Sequence, residues 1–185
     1  MKRITLILAA FISMTSLCFS QVRTSSTQKY VLASAHYFIP GTGAIWADKD
    51  ATNIGGSFKY GLHIPFSGTP LFFDTGVGLG VMSYKGYSLW DEPIKESYPY
   101  AFIPVSIGYQ FGASDTMSLS PHVGVAGVAG LSDFKTFSIG GWAPTLGLTV
   151  QAKRFLIDFS YNLFWVTNSY QHGDGNISLG IGWAF

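Results

Sequence analysis

Cysteine is all but missing from this chain. A single residue, Cys18, occurs in 185, so no disulfide framework can staple the fold. Charge is scarce as well. Asp, Glu, Lys and Arg make up 11% of residues, where a soluble domain carries about a quarter. Without Lys2 and Arg3, nine basic residues face ten acidic ones. That balance offers no basic face to neutralise phosphates and excludes nucleic acid as a partner. Long apolar runs are lacking beyond the first twenty residues, where nothing approaches the ~18 apolar residues of a spanning helix. Nor is there a phosphate-binding loop, a dinucleotide fingerprint or a Cys–His cluster. Asp48 and Asp50 begin like a calcium loop, but the sixth position is Asn53 instead of glycine. No metal and no cofactor are expected.

What is present is apolar surface without apolar runs. Hydrophobic residues reach 48% and aromatics 16%, and 22 glycines are spread among them. Asn53–Ile64 explains how. Ile54, Phe58, Tyr60, Leu62 and Ile64 share one parity; Asn53, Ser57, Lys59 and His63 share the other. In Leu71–Met82, Leu71, Phe73, Val77, Leu79 and Val81 oppose Asp74 and a row of glycines. A period of two over a dozen residues marks strands with one greasy face. Their length fits a tilted bilayer crossing, which needs about 9–11 residues.

Six further segments read the same way: Lys29–Ile39, Tyr100–Phe111, Met117–Leu131, Trp142–Ala152, Phe155–Trp165 and Asn176–Phe185. The facing of the first is weakly marked; Ser34 and His36 suggest that Val31, Ala33, Ala35 and Tyr37 point outward. Short connections at Pro65–Pro70, Gly112–Thr116 and Lys153–Arg154 alternate with long ones at Pro40–Thr52, Ser83–Pro99, Ser132–Gly141 and Thr167–Gly175. Alternating loop length is expected of a barrel with a periplasmic and an outer end. The expected fold is therefore an all-β, eight-stranded antiparallel up-and-down transmembrane β-barrel spanning residues 21–185. Met1–Ser20, with Lys2 and Arg3 before the apolar run from Ile4, reads as a cleaved export signal. Leu17 stands where lipid attachment to Cys18 would need a small residue.

Charge placement identifies the face that sees lipid. Lys59, His63, Asp74, His122, Lys153 and Asp158 all fall on the less apolar parity. A lysine or arginine facing lipid at the midplane would cost about 2–4 kcal/mol. Lys59, Asp74, His63, His122 and Asp158 are thus expected in a lumen network, with Lys59 and Asp74 as an ion pair because they lie at similar distances from the Pro65–Pro70 turn. Inward glycines leave room in a narrow cylinder. Aromatics gather at the strand ends, Tyr109, Phe111, Phe155, Trp183 and Phe185 at one edge and Trp142 and Trp165 at the other, as interfacial girdles do. A soluble lipocalin-like barrel would reverse the faces, with apolar residues inside and charges outside.

The export signal, the segment YAFIPVSIGYQF at Tyr100–Phe111 and the ending ISLGIGWAF at Ile177–Phe185 resemble the small outer-membrane β-barrel proteins of the OmpA/OmpX type. The resemblance implies location in the outer membrane of a Gram-negative bacterium, contact with its lipids and lipopolysaccharide, and a monomeric state. It also implies that Ile181, Trp183 and the terminal Phe185 form the signal read by the barrel assembly machinery. Fold membership does not fix an activity. Eight strands enclose a space that side chains fill, so a porin channel is not expected.

Two functional readings remain. One is a non-enzymatic surface protein contributing to envelope integrity, adhesion or contact with an extracellular ligand. Its contact residues would be Tyr84, Tyr87, Trp90 and Tyr98 in one outer loop, and Tyr170 and His172 in another, because tyrosine and tryptophan combine contact area with a polar handle. The other is a lipid A-modifying enzyme, a deacylase or acyltransferase, with His172 or His36 as base. That chemistry needs a hydroxyl within reach of a histidine that a carboxylate orients. No catalytic residue is assigned on sequence grounds.

Overall fold

The computed structural model describes residues 26–39, 52–87, 93–114, 116–131, 140–163 and 175–185. The expected export segment 1–20 lies outside them. The strands are β1 (Gln28–Ile39), β2 (Thr52–Pro65), β3 (Leu71–Tyr87), β4 (Pro93–Tyr109), β5 (Phe111–Ser114), β6 (Met117–Gly130), β7 (Gly140–Ala152), β8 (Phe155–Leu163) and β9 (Gly175–Ala184). Every pairing is antiparallel and between neighbours. β1 closes on β9, from Tyr30↔Ala184 to Ile39↔Gly175. β4 and β5 flank Gln110 and pair with the same partner, β6. The nine segments are therefore the eight staves of a closed barrel.

The alternation read from the sequence becomes an inside and an outside. Phe58, Val77, Leu79, Ile103, Val123, Leu146, Phe159 and Ile181 are exposed on the outer wall. Their inward neighbours include Asp158, Ser160 and Ser178, all buried. The first strand follows suit, with Tyr37 and Ile39 exposed and Tyr30, Leu32 and Phe38 buried. From Leu71 to Val81 the outer apolar row of β3 covers ten steps. At about 3.3 Å per residue and a tilt near 40°, that row stands roughly 25 Å tall, the height of the lipid-facing band in such barrels. Phe155, Trp183 and Phe185 ring its lower edge, and Trp142, 69% exposed, marks the upper. A greasy band of this height around a polar lumen makes the barrel transmembrane.

Inside, large rings lie over glycines. Tyr30 covers Gly61, Phe102 covers Gly78, Tyr100 covers Gly80 and Phe72 covers Gly108. Each pair is a register partnership across one ladder. The glycines lack a Cβ where the ring sits, so aromatic volume fits a narrow cylinder without displacing backbone. One ladder is interrupted. β3 and β4 pair at Thr75↔Val105 and again at Gly78↔Phe102, with Pro104 between. Proline has no N–H to give, and the Thr75 hydroxyl donates to the Pro104 carbonyl at 2.9 Å.

The connections differ from expectation in two places. Ser83–Pro99 is not a loop throughout: β3 continues to Tyr87 and β4 starts at Pro93, so this hairpin rises above the band as paired strand. Gly112–Thr116 is likewise mostly strand, since β5 covers Phe111–Ser114. Alternation reports lipid only where lipid is present, and above the membrane the polarity of a strand no longer marks it as one. Lys153–Arg154 is the expected tight turn, with Lys153 at φ 56°.

Candidate functional site

The lumen is layered. Asp74, inward on β3, is the hub of its lower half. It accepts a 2.6 Å hydrogen bond from the Tyr30 hydroxyl. Lys59 Nζ lies 3.7 Å from the same carboxylate, and His63 Nδ1 lies 3.9 Å from its other oxygen. Lys59 also stands 4.9 Å from the centre of the Tyr30 ring. Across the lumen, Asp158 accepts from Thr149 Oγ1 at 2.7 Å and has His122 Nε2 at 3.9 Å. Asp158 lines the same cavities as Lys59 and Asp74. In a low-dielectric interior, opposite charges at this spacing offset much of the desolvation they suffer.

Above this layer the wall turns to hydroxyls and amides. Ser160 and Ser178 share a 2.6 Å bond. Asn162 donates to Asn176 at 3.0 Å and accepts from Thr145 at 2.7 Å. His36 Nε2 meets Ser57 Oγ at 2.7 Å. Higher still, Phe38, Met82, Tyr98, Tyr100, Ala126 and Val128 pack into an apolar plug. Tyr30, Leu32, Leu156 and Ala184 form a second cluster lower down.

Among the described residues the lumen holds cavities of about 80 Å³ and about 40 Å³. Both touch Leu32, Lys59, Asp74, His122 and Asp158, so the charged cluster stands between them. A water needs roughly 10–15 Å³ on this measure, which leaves room for a handful of waters in each. No trio of histidine and carboxylate groups is placed to hold a metal among the described residues.

The Ser57–His36 pair looks like hydrolytic chemistry, but no carboxylate orients its ring: Nε2 meets Ser57, and Nδ1 has no hydrogen-bond partner among the described residues. A serine nucleophile needs its histidine held by such a third group. The pair also faces the lumen, with the barrel wall between it and any acyl chain.

Of the lumen residues read from the sequence, the structure brings Lys59 and His63 to the Asp74 carboxylate and His122 to the Asp158 carboxylate. Tyr30 and Thr149, which complete the two carboxylates, were missed because neutral hydroxyls carry no charge signal. Tyr98 is corrected: it is 2% exposed, inside the plug, because its parity on β4 matches the inward Tyr100. Tyr84 and Tyr87 are strand positions of β3 and not loop positions. Trp90, Tyr170 and His172, and with them Trp165, lie outside the described residues. Ile181 and Trp183 point outward on β9, and Phe185, just past its end, is exposed as well. The Phe185 backbone bonds Lys29 in both directions, at 2.8 and 3.3 Å, beside the closing seam.

No family model and no curated protein matches this chain. Among solved structures it is similar to Ail, the attachment invasion locus protein of Yersinia pestis, crystallised with the heparin analogue sucrose octasulfate. The identity is 17%, covering 86% of this chain and 98% of that one, with a TM-score of 0.45. It is similar to the outer membrane enzyme PagL at 14% identity, over 82% of this chain and 97% of that one, TM-score 0.46. It is similar to the outer membrane protein OprG from Pseudomonas aeruginosa at 11% identity, over 85% and 96%, TM-score 0.43. Likeness at this level says nothing about activity.

Proposed function

We propose that this chain is a non-enzymatic protein of the Gram-negative outer membrane that acts through its outer end, in envelope integrity or surface contact. The observation that carries this reading is the filled lumen. Among the described residues, aromatic rings over glycines, a compensated charge cluster and an apolar plug fill the lumen down to small cavities. A barrel sealed in this way has little to offer as a porin, and its wall meets only lipid. The surface left for recognition is the rim, where the β3–β4 hairpin stands above the lipid-facing band. The resemblance of the leader and of the ending Ile177–Phe185 to small outer-membrane barrels supports export and assembly along that route, with lipopolysaccharide as the surrounding lipid.

The experiment has two parts. Reconstituted into planar bilayers, the wild type gives no porin-sized conductance. In cells, replacing 84–97 by a Gly/Ser hairpin reduces attachment or weakens detergent resistance while the barrel still assembles. Full attachment and resistance with the hairpin replaced would overturn the surface reading. The lipid A-modifying alternative keeps one specific observation, the 2.7 Å Ser57–His36 contact, and mass spectrometry of lipid A from a deletion strain tests it. Changed acyl composition would favour the enzyme.

A further inference from the structure

The lumen is closed by different means at its two ends. Toward the outer end the plug consists of rings and small apolar groups, with Phe38, Tyr100 and Ala143 each 1% exposed. Tyr100, Ala126, Val128 and Ala143 also line the larger cavity beneath it. Parting that closure means unpacking a dense core, where every displaced ring loses contacts on all sides.

At the end of the short turns, the periplasmic one in such barrels, two amides meet. Gln151 Nε2 donates to Gln28 Oε1 at 3.2 Å and to the Lys153 carbonyl at 2.8 Å. A backbone carbonyl can only accept, so the orientation of the Gln151 amide is fixed. Gln28 opens β1, and Gln151 is the last but one residue of β7. β8 and β9 lie between those strands, so the bond crosses the lumen instead of running along its wall. Both glutamines are half-buried. Both line the smaller cavity, together with Lys59, Asp74, Ser120 and Asp158.

The two closures differ in what it takes to break them. A neutral amide pair has a small net worth wherever both groups can turn to water instead, and such side chains change rotamer quickly. The packed rings have no such exchange partner.

We infer that Gln28 and Gln151 latch a lumen vestibule that opens toward the short-turn end, admitting water and small solutes to the Asp74 and Asp158 carboxylates while the plug holds the other end shut. The vestibule presupposes the filled lumen proposed above. A porin-sized conductance would remove that lumen, whereas labelling rates test the latch alone.

The reporter is a thiol inside the vestibule, Ser120→Cys, in the mature protein refolded into vesicles; Thr149→Cys is a second reporter on the same cavity. Resistance of the folded band to detergent is checked first for every variant. The neutral reagent methyl methanethiosulfonate is then timed against two latch variants of unchanged size. Gln151→Glu sets a carboxylate against the Gln28 carbonyl and should speed labelling about three- to tenfold, the factor by which loss of one hydrogen bond raises an open population. Gln28→Glu keeps an acceptor for Gln151 and should label no faster than the parent. With the parent inserted in one orientation, an impermeant cationic methanethiosulfonate should label from the side carrying the Lys153–Arg154 turn. Equal rates in all three proteins, equal acceleration by Gln28→Glu, or labelling from the opposite side would each overturn the inference.

Discussion

Tyr100 covers Gly80, its partner across the β3–β4 ladder, so closely that a Cβ on Gly80 would overlap the phenol ring. The same relationship joins Tyr30 to Gly61 and Phe102 to Gly78. Three inward rings thus occupy volume that glycines vacate, and the barrel is plugged without being widened.

Gly80→Val should therefore be costly. The ring has to leave a packed site, and overpacking of this kind costs about 1–3 kcal/mol. Gly56 is the control, because a Cβ there meets only the Ser34 carbonyl at 3.4 Å; Gly56→Ala should leave stability within about 0.5 kcal/mol. Urea titration of the refolded barrel in lipid vesicles measures both.

Asp74→Ala removes the carboxylate that Tyr30, Lys59 and His63 share. Lys59 is left without the carboxylate it pairs with, and loss of a partner from a buried ion pair costs about 3–5 kcal/mol. Lys59→Met on top of Asp74→Ala should recover part of that loss. A double variant no more stable than Asp74→Ala would show that the two residues act independently.

Lys59 and Asp74 were legible because both lie at similar distances from one tight turn and both have the parity of their strand's polar face. The strands were legible for the same reason, since period-two polarity is the imprint of lipid on one side and lumen on the other. What escaped was whatever that contrast does not write. Tyr30 and Thr149 are neutral, so nothing singled them out as partners of buried carboxylates. Tyr98 reads as a loop aromatic among charged neighbours, yet its parity turns it into the plug. The glycine–aromatic pairs depend on register between strands, which a single chain's pattern leaves open.

Ser57→Ala and His36→Gln should leave the lipid A acyl pattern of cells unchanged, because the pair faces the lumen and no carboxylate orients the His36 ring. They should still alter the barrel. A buried hydrogen-bonding group left without its partner costs about 1–3 kcal/mol, visible as a lower unfolding midpoint. An altered acyl pattern from either substitution would reopen the enzymatic reading.

Charge placed on the outer wall should be punished by depth. Leu79→Arg puts a guanidinium within the apolar band and should cost about 2–4 kcal/mol, whereas Ser83→Arg, nearer the rim, should cost about 0–1 kcal/mol. Equal costs at the two positions would contradict the placement of the band. The comparison is made by equilibrium unfolding from vesicles.

The inside-out arrangement itself is tested by walking a spin label along β3. Cys18 is the only native thiol, so single cysteines at 76–82 in a Cys18→Ser background can be labelled one at a time in vesicles. Labels at 77, 79 and 81 should be open to oxygen and closed to a water-soluble nickel complex, and those at 76, 78 and 80 should not share that lipid signature. Accessibility that fails to alternate, or nickel reaching 77, 79 and 81 from water, would contradict a lipid-facing outer wall.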